Sequence, residues 1–377
     1  MNKSDDTCQL VICGGGIIGV ALAYYLSELS PADNKSVKVK VVERESVACH
    51  SSGKAGGFLA LDWNDHSPVS SLSRLSYKLH EDLNKCLSGE DLGYRQLSSF
   101  AIEAREEAAA KRKTAQSYMD VNISKSKLLG TKGTTAQVNP YRLTQALMKA
   151  AIAKGVEFVK GEVIGMTFDN ESSSKPLLRQ VELRNGSHLM ADKAVIAMGA
   201  WSSVLAASLP LCPNFPQIRG SKAHSIVLKA ELPAEAMFTE FIDKEGNTSE
   251  PEIYPRDDGT VYVCGEGDED DPLPIDPLLI QPSTGRCEKL YKTVCKMSTM
   301  LDDVPILTRQ ACYLPNSPDG VPIIGQVHPY SQVFIGTGHG CWGILNGPAT
   351  SKCLAQLILG LSTDIDLSPF SITRFKS

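Results

Sequence analysis

Two short glycine-rich segments, near opposite ends of the sequence, have the spacing G-x-G-x-x-G that is typical of a turn against a dinucleotide. The first covers residues 14–19 and the second covers residues 338–343. Such glycines permit a tight turn, bring backbone N–H groups close to a pyrophosphate and let the following helix pack closely. The two segments leave three alternatives: two nucleotides, one nucleotide that is held at both ends, or one chance match.

The first segment has the surroundings that a dinucleotide-binding turn requires. An apolar run, QLVIC, precedes it and an apolar stretch, IIGVALAYYL, follows it, which indicates strand, turn and helix. The alternating run VKVKVVE then predicts a second, parallel strand that ends at Glu43. A carboxylate at that point accepts hydrogen bonds from ribose hydroxyls. Gly14, Gly16, Gly19 and Glu43 therefore predict a site for the adenosine and pyrophosphate of one dinucleotide.

The second segment lacks these surroundings. Too few residues follow position 343 for a helix and then a second strand that ends in an acid. We therefore expect its glycines to bring backbone N–H groups and a helix N-terminus close to the far end of the same cofactor. A glycine-rich loop without a ligand is the alternative.

The composition is that of an ordinary soluble globular protein. Of the 377 residues, 42% are hydrophobic and 21% are charged, and the formal net charge is −5. This charge provides no basic surface for nucleic acid or anionic lipid, so neither is expected as a partner. No apolar run approaches the roughly 20 residues that a membrane span needs.

The N-terminus and the cysteines indicate a reducing compartment. The first residues lead almost directly into a strand pattern, without the regions of a signal peptide. The eleven cysteines have neither zinc-ligand nor disulfide-framework spacing. We therefore expect a cytoplasmic protein with reduced thiols and no bound metal.

The order of the predicted elements indicates a discontinuous domain with an insertion. The parallel elements at the start, the buried strand in ADKAVIAMGAWS and the strand before the second glycine segment enclose alternating runs, such as SIVLKAEL, that are typical of antiparallel strands. We predict an α/β fold in which a Rossmann-like nucleotide-binding domain is interrupted by a mostly antiparallel α+β substrate domain. The predicted nucleotide-binding domain comprises residues 1–83, 134–220 and 304–377, and the substrate domain comprises residues 84–133 and 221–303.

Several segments that follow one another in a fixed order carry a family resemblance: VICGGGIIGVALAYYL, VVERE, SSGKAGG, VNPYRLTQAL, ADKAVIAMGAWS, PNSPDGVPIIG and GTGHGCWGILNGPAT. With this set the chain resembles the D-amino-acid-oxidase-like flavoproteins, which include glycine and sarcosine oxidases. The stretch SSGKAGGFLALDW is most similar to a poorly characterised eukaryotic branch of that family. The resemblance weakens in the inserted domain.

The resemblance implies FAD, held as one dinucleotide at both ends, with the isoalloxazine between GKAGG and GHGCWG. The residues that it places at the cofactor, together with the first glycine turn, are Gly14, Gly16, Ile17, Ile18, Gly19, Glu43, Arg44, Ser51, Ser52, Lys54, Ala55, Gly56, Gly57, Val163, Gly199, Trp201, Gly338, Gly340, Cys341, Gly343 and Ile344.

The chemistry implied by the family is oxidation of a C–N bond of a small amine or amino acid by hydride transfer to the flavin. Oxygen or another, unidentified acceptor would reoxidise the flavin. The sequence offers no separate fold for a pyridine nucleotide. The alternative function is a flavin-binding scaffold with a role in trafficking or assembly and little turnover.

Two side chains of the second glycine segment are candidates for catalysis. His339 would tune the flavin or carry protons, and a structural imidazole is the alternative. Trp342 would form a wall of the pocket against the ring system, and a packed core tryptophan is the alternative. Lys54 would donate to the flavin or to a bound anion, or would only be solvated near the phosphates.

Cys312 bears on how the flavin is attached. It falls where monomeric sarcosine oxidases carry the cysteine that is covalently joined to FAD. The residues that follow it, YLPNSPDGVPIIG, are closer to non-covalent relatives. We therefore expect non-covalent FAD, with attachment through Cys312 as the alternative.

The substrate carboxylate lacks its usual anchors. Glycine-oxidase-like relatives carry an arginine that pairs with the substrate carboxylate immediately before the proline of the matching segment, where this chain has Leu314. Sarcosine-oxidase-like relatives hold the carboxylate with a lysine after the G-H-G turn, where this chain has Trp342. An uncompensated carboxylate there would lose its hydration at a cost of several kcal/mol. We therefore expect glycine, sarcosine and simple D-amino acids to be poor substrates. Lys54, Arg219 or Arg256 would be a replacement cation. Asp62 or Glu252 facing the flavin would favour a cationic or hydroxylated amine, and solvated surface positions are the alternative for both acids.

Overall fold

A computed structural model describes residues 7–375 except 34, 107–117, 170–175, 213 and 269. Residues 107–117 of the predicted substrate segment 84–133 thus lie outside the described residues. The strands of the described part, numbered in chain order, are β1 (Cys8–Cys13), β2 (Val37–Glu43), β3 (Phe58–Ala60), β4 (Arg95–Gln96), β5 (Ser98–Arg105), β6 (Asn122–Gly130), β7 (Thr135–Gln137), β8 (Glu157–Lys160), β9 (Val163–Asp169), β10 (Leu177–Leu183), β11 (His188–Met190), β12 (Lys193–Ile196), β13 (Arg219–Leu228), β14 (Glu235–Ile242), β15 (Thr248–Ser249), β16 (Glu252–Pro255), β17 (Val261–Asp268), β18 (Ile306–Asn316), β19 (Ile323–Gln326) and β20 (Val333–Thr337).

The α-helices of the described part are α1 (Ile17–Glu28), α2 (Ser51–Lys54), α3 (Ser70–Cys86), α4 (Pro140–Ala153), α5 (Thr284–Met297) and α6 (Gly343–Ile358). Short 3₁₀ helices cover Gly199–Ser208, Pro277–Leu279, Thr299–Leu301, Gly340–Trp342, Ser368–Phe370 and Ile372–Phe375. None of the helices in the described ranges combines the length and the apolar character that crossing a bilayer would require.

A six-stranded sheet in the order β19-β20-β12-β1-β2-β8 forms the centre of the predicted nucleotide-binding domain. Its strands are parallel except for the β19–β20 pair. The strand β1 lies in the middle of the sheet and is buried from Leu10 to Cys13, as its continuous apolar run predicts for a strand covered on both faces. Helices α1, α3, α4 and α6 cover one face, and the small β9–β10–β11 sheet covers the other.

An eight-stranded sheet forms the second layer, in the order β18-β13-β17-β16-β14-β5-β6 with β15 beside β14. Its strands are antiparallel except for the β14–β5 pair. Helix α5 packs on one face through Cys287, Leu290 and Val294. The predicted fold class, a Rossmann-like α/β domain with an inserted, mostly antiparallel domain, is confirmed. The domain boundaries remain a prediction, and β18 pairs in this second sheet although it follows the predicted boundary at 304.

Helix α1 packs very closely on the turn that precedes it. A Cβ added to Gly19 would lie 2.0 Å from the carbonyl oxygen of Gly14 and 3.1 Å from Ile12 Cγ2. No backbone or side-chain shift of ordinary size relieves a contact with a backbone oxygen at that distance. The position of the whole helix against β1 therefore depends on the missing side chain at Gly19.

Replacing Gly19 with alanine is expected to destabilise the protein by about 2–3 kcal/mol, because the methyl group would push α1 away from the turn. Urea unfolding of G19A against the unchanged protein measures this loss. Gly89→Ala is the matched control, because a Cβ at Gly89 meets no atom within 4 Å. Equal stability of the two variants would contradict the packing argument.

Candidate functional site

An elongated cleft of about 1390 Å³, including its open mouth, runs along the carboxyl ends of β1, β2, β12 and β20. Its lining reaches from the first glycine turn to the second glycine segment, which suits an extended ligand. The predicted site residues that line the cleft are Gly14, Gly16, Ile17, Ile18, Glu43, Arg44, Ser51, Ser52, Ala55, Val163, Gly199, Trp201, His339, Gly340, Cys341, Gly343 and Ile344. The predicted site residues that do not line it are Gly19, Lys54, Gly56, Gly57, Gly338 and Trp342.

The floor of the cleft is the first glycine turn. Gly14 has a φ of +117°, and a Cβ there would lie 2.3 Å from the carbonyl oxygen of Ala197 at the end of β12. A Cβ on Gly16 would lie 3.0 Å from Ser52 Oγ. Gly14 and Gly16 carry no side chains at the points where Ala197 and Ser52 come closest to the turn. The turn therefore presents backbone to the cleft and leaves room for a ligand.

The Glu43 carboxylate stands at the end of β2 and faces the turn. Its Oε2 accepts a hydrogen bond from the Gly15 N–H at 2.8 Å, and its Oε1 accepts one from the Glu45 N–H at 3.2 Å. A carboxylate has about four acceptor positions, so these bonds orient it and leave capacity for hydroxyl donors in the cleft. A Cβ on Gly15 would lie 2.8 Å from Glu43 Cβ, so this glycine is needed for the approach.

The N-terminus of α1 opens onto the cleft. The Ile17 N–H donates to Ser52 Oγ at 2.9 Å, and Gly16 supplies no side chain to cap the helix. Helix N-termini carry exposed N–H groups and a partial positive charge, which together favour an anion such as a phosphate. Ser51 is held in place because its hydroxyl donates to the Tyr313 carbonyl at 2.8 Å.

One end of the cleft is closed by an ion-pair network that no motif indicated. Arg44 pairs with Asp276 at 2.8 Å and with Glu162 at 3.6 Å, and Arg184 pairs with Glu162 at 2.7 Å. Arg44, Glu162 and Arg184 all line the cleft, together with Ile275. Only Arg44 among these was predicted, because the others come from strands and loops distant in sequence.

Two imidazoles that line the cleft have buried ring nitrogens without a hydrogen-bond partner, and His339 is buried whereas His50 is half-buried. Both nitrogens of His339 and both nitrogens of His50 lack a partner. Burial lowers the pKa of His339 to about 4, and burial, followed by the positive charge of Lys54, lowers the pKa of His50 to about 4. Both rings are therefore neutral near pH 7 and can donate and accept. His50 was missed, although it directly precedes the SSGK segment and its position there was a usable signal.

These unpartnered rings are the feature that a bound cofactor would explain. Buried polar atoms in proteins nearly always have a partner, and four imidazole nitrogens in one cleft do not. The glycine turn, the oriented carboxylate of Glu43 and the open end of α1 add a hydroxyl-binding and an anion-binding position to the same cleft. The residues present fit a dinucleotide with a polar ring system at its far end.

Lys54 is directed away from the cleft. Its ammonium donates to the Ala311 carbonyl at 3.0 Å, and Gln310 Nε2 donates to the Lys54 carbonyl at 2.7 Å. The lysine thus fastens the end of α2 to β18. Its expected contact with flavin or anion finds no support in this arrangement.

The other predicted residues outside the cleft lining have packing contacts. A Cβ on Gly56 would lie 2.5 Å from the Tyr254 ring, and one on Gly57, which has a φ of +82°, would lie 2.0 Å from the Val138 carbonyl oxygen. Gly338 sits in the turn after β20 with a φ of +79°. Trp342 packs edge-on to Trp63, with ring centroids 6.3 Å apart.

Cys312 is buried within β18 and does not line the cleft. Burial raises the pKa of its thiol to about 11, with the positive charge of Lys54 opposing this rise. A thiol must be deprotonated to act as a nucleophile. Its position and protonation therefore both disfavour a bond to a ligand in the cleft.

Leu314 lines the cleft and offers no charge to a substrate carboxylate. Of the cations considered as replacements, Lys54 is bound to a carbonyl and Arg219 is exposed. Arg256 is half-buried, donates to the Ala55 carbonyl at 3.3 Å and lies over the Tyr262 ring at 5.2 Å. None of these three lines the cleft. Asp62 likewise lies outside it, among the charges near Arg74.

Comparison with known proteins agrees with this geometry. The sequence model of the DAO family, described as "FAD dependent oxidoreductase", matches residues 9–357. The chain is 33% identical to "Putative oxidoreductase C1F5.03c" of Schizosaccharomyces pombe, over 95% of this chain and 97% of that protein. It is 24% identical to the glycine oxidase of Pseudomonas putida, over 96% of this chain and 98% of that protein. The crystal structure of glycine oxidase from Geobacillus kaustophilus superposes with a TM-score of 0.74 at 20% identity, covering 99% of this chain and 100% of that one.

The neutral state of His339 predicts a specific pH dependence of stability. Because its pKa is lowered in the folded chain, the unfolded chain binds more protons between about pH 4 and 6.5, and stability falls as the pH falls through this window. His339→Gln should therefore lose about 1–2 kcal/mol less stability than the unchanged protein on going from pH 7 to pH 5. Urea unfolding of the cofactor-free proteins at both pH values measures this difference in the loss of stability. His188→Gln, at an exposed position, is the control. The same loss of stability between pH 7 and pH 5 in all three proteins would contradict a lowered pKa at His339.

Proposed function

The chain belongs to the DAO family of FAD-dependent oxidoreductases, and on that premise we propose that it oxidises a C–N bond of a small amine by hydride transfer to FAD. The flavin supplies the two-electron acceptor that amino-acid side chains lack. The observation that carries the proposal is the single cleft that joins the first glycine turn to the unpartnered rings of His50 and His339. Such a cleft fits one cofactor that is held at both ends.

We assign the adenosine end to the turn at Gly14–Gly16 and to Glu43. The Glu43 carboxylate is already oriented by two backbone N–H groups, so it presents its remaining acceptor positions to ribose hydroxyls. The N-terminus of α1 and the hydroxyls of Ser51 and Ser52 would hold the pyrophosphate.

We assign the ring system of the flavin to the inner end, beside Ala55, Leu314 and the Gly340–Cys341 backbone. His339 and His50 are neutral there, so they would hold hydrogen bonds to polar ring atoms without adding charge. The apolar lining excludes water from the reacting carbon. A catalytic base is not required, because an amine with a free electron pair can lose hydride from the neighbouring carbon.

We propose oxygen as the electron acceptor. The sequence has one dinucleotide turn with a complete βαβ unit, so no second such unit is available for a pyridine nucleotide. The relative from Pseudomonas putida is named as an oxidase, which supports this choice. Stopped-flow mixing of the reduced protein with oxygenated buffer tests it, and a reduced flavin that stays bleached for minutes would exclude oxygen.

FAD is expected to be non-covalent, because Cys312 is buried, protonated and outside the cleft lining. Acid precipitation should release the yellow colour into the supernatant. A yellow pellet would show covalent attachment, and loss of that colour in Cys312→Ser would locate the bond.

The substrate is expected to lack a carboxylate next to the reacting nitrogen, because Leu314 and the described cleft-lining residues near it offer no cation. In an anaerobic stopped-flow experiment, glycine, sarcosine and D-alanine should bleach the flavin at least about tenfold more slowly than the best carboxylate-free secondary amine. Leu314→Arg should raise the rate with glycine, because a guanidinium pairs with a carboxylate through two hydrogen bonds, and Leu314→Met should not.

Two results would contradict this account. Rapid bleaching of the unchanged protein by millimolar glycine would show that a carboxylate is accepted without an arginine at position 314. Failure of every amine tested to bleach the flavin would contradict C–N oxidation itself and favour the scaffold role.

A further inference from the structure

Five aromatic side chains form one contiguous group, here called the aromatic cluster: Phe58, Trp63, Phe238, Tyr254 and Trp342. The Phe58 and Tyr254 rings are stacked, with centroids 5.6 Å apart and 14° between their planes. Trp63 contacts Phe58 at 5.0 Å and Phe238 at 4.9 Å. The cluster joins residues from two short segments of the predicted nucleotide-binding domain to two strands of the eight-stranded sheet.

The aromatic cluster borders the inner end of the cleft. Trp342 directly follows Cys341, which lines the cleft. Gly56 directly follows Ala55, which also lines the cleft, and a Cβ on Gly56 would lie 2.5 Å from the Tyr254 ring. The two segments that flank the proposed flavin ring therefore both continue into this cluster.

Glu252 is the acidic side chain at the edge of the cluster. It is half-buried and lies opposite Phe238 and Cys264 in the sheet, on the same face as Tyr254. Tyr254 donates its hydroxyl hydrogen to Glu252 Oε2, and the Cys264 thiol donates to the same oxygen at 3.4 Å. Among the residues that the structure describes, no lysine, arginine or histidine forms an ion pair with Glu252.

The closeness of Glu252 to the cleft is also visible at Cys341. Partial desolvation raises the pKa of the Cys341 thiol, although the residue as a whole is exposed, and the negative charge of Glu252 raises it further. The carboxylate is thus within electrostatic reach of a residue that lines the inner end of the cleft.

A half-buried carboxylate without a cation has lost part of its hydration without gaining a counter-charge, which is unfavourable. Aromatic ring faces attract cations and bind alkylammonium groups in particular. From this juxtaposition we propose that Glu252 and the aromatic cluster bind a positively charged alkylammonium group of the substrate that is separate from the neutral amine that is oxidised, so the substrate class is an amine with a second, cationic group and without a carboxylate. The proposal deepens the proposed amine oxidation and rests on it.

Two members of the proposed site, Glu252 and Phe238, reach the surface of the sheet, whereas Phe58, Trp63, Tyr254 and Trp342 do not line the depression there. A depression of about 760 Å³, including its open side, is lined by Phe238 and Glu252 and continues across β5, β6 and β14. Its other charged residues are Glu103, Glu240, Glu250, Lys125 and Lys127. Lys125 is paired with Glu103 at 2.7 Å. Acids outnumber lysines there, which favours the approach of a cation over that of an anion.

Arg256 is the nearby cation that would favour an anionic ligand instead of a cationic one. It lies just after β16, which ends at Pro255, and two positions beyond Tyr254. The guanidinium donates to the Ala55 carbonyl and covers the Tyr262 ring, and Tyr262 is stacked on Tyr254 with centroids 6.0 Å apart. Two aromatic rings thus separate Arg256 from Glu252, and the arginine is engaged by protein groups.

The test is the affinity of the flavin-loaded protein for matched probes, measured by isothermal titration calorimetry. Choline carries a quaternary ammonium group, 3,3-dimethyl-1-butanol is its neutral isostere, and betaine adds a carboxylate. Choline should bind about tenfold or more tightly than either of the other two. Glu252→Gln should remove most of the preference for choline over the alcohol. Glu231→Gln, which removes the same charge from an exposed position outside the cleft and the depression, should change it less than about twofold.

The outcomes separate this proposal from the proposed function. Equal affinity for choline and the alcohol in the unchanged protein, or a preference that survives in Glu252→Gln, contradicts the cation site whether or not amines bleach the flavin. Tighter binding of betaine than of choline contradicts it as well and assigns the carboxylate to Arg256. A choline preference that depends on Glu252, in a protein whose flavin no amine reduces, contradicts C–N oxidation and leaves the cation site standing.

Discussion

The close approach of helix α1 to the turn after β1 is the constraint on which the site depends. A Cβ added to Gly14, Gly15 or Gly19 would lie 2.3, 2.8 or 2.0 Å from an atom of Ala197, Glu43 or Gly14 and would collide, and one on Gly16 would lie 3.0 Å from Ser52 Oγ. These contacts set the direction of α1 and the gap between β1 and β12. The cleft begins in that gap, so its shape at this end is set by the glycines of the turn, which have no side chains to fill it.

Strand order explains why the cleft lies where it does. β2 pairs on one side of β1 and β12 pairs on the other. Later strands are therefore added to the sheet on both sides of β1. Ligands of open α/β sheets bind at the carboxyl edge of such a switch point. β20 brings the second glycine segment to the same edge, and β18 lays Leu314 across the inner end. One cofactor held at both ends is the arrangement that this topology favours.

The sequence predicted the parts of the site that are local in the chain. A strand, a glycine turn, a helix and a terminal acid lie within one βαβ unit, so periodicity and spacing suffice for Gly14, Gly16 and Glu43. Side-chain direction was less accessible. Lys54 and Trp342 belong to segments that border the cleft, yet one binds a β18 carbonyl and the other joins the aromatic cluster, because packing between the two sheets decides which way they turn.

Residues brought in by tertiary pairing carried no signal in the sequence. Arg184 and Ile275 line the cleft from a β-turn and a loop that no motif marks. Glu252 was recognised as an acid of interest, but its aromatic surroundings arise only when β14, β16 and the segment around Phe58 meet. Spacing along one strand cannot show that such a carboxylate lacks a cation.

The central claim is that one FAD is held at both ends of one cleft, and equilibrium titration of the deflavinated protein tests it most directly. FAD should bind with one equivalent per chain and about 100-fold or more tightly than either AMP or FMN, because each half alone engages only one end. AMP that binds as tightly as FAD, or a second equivalent of dinucleotide, would contradict the account.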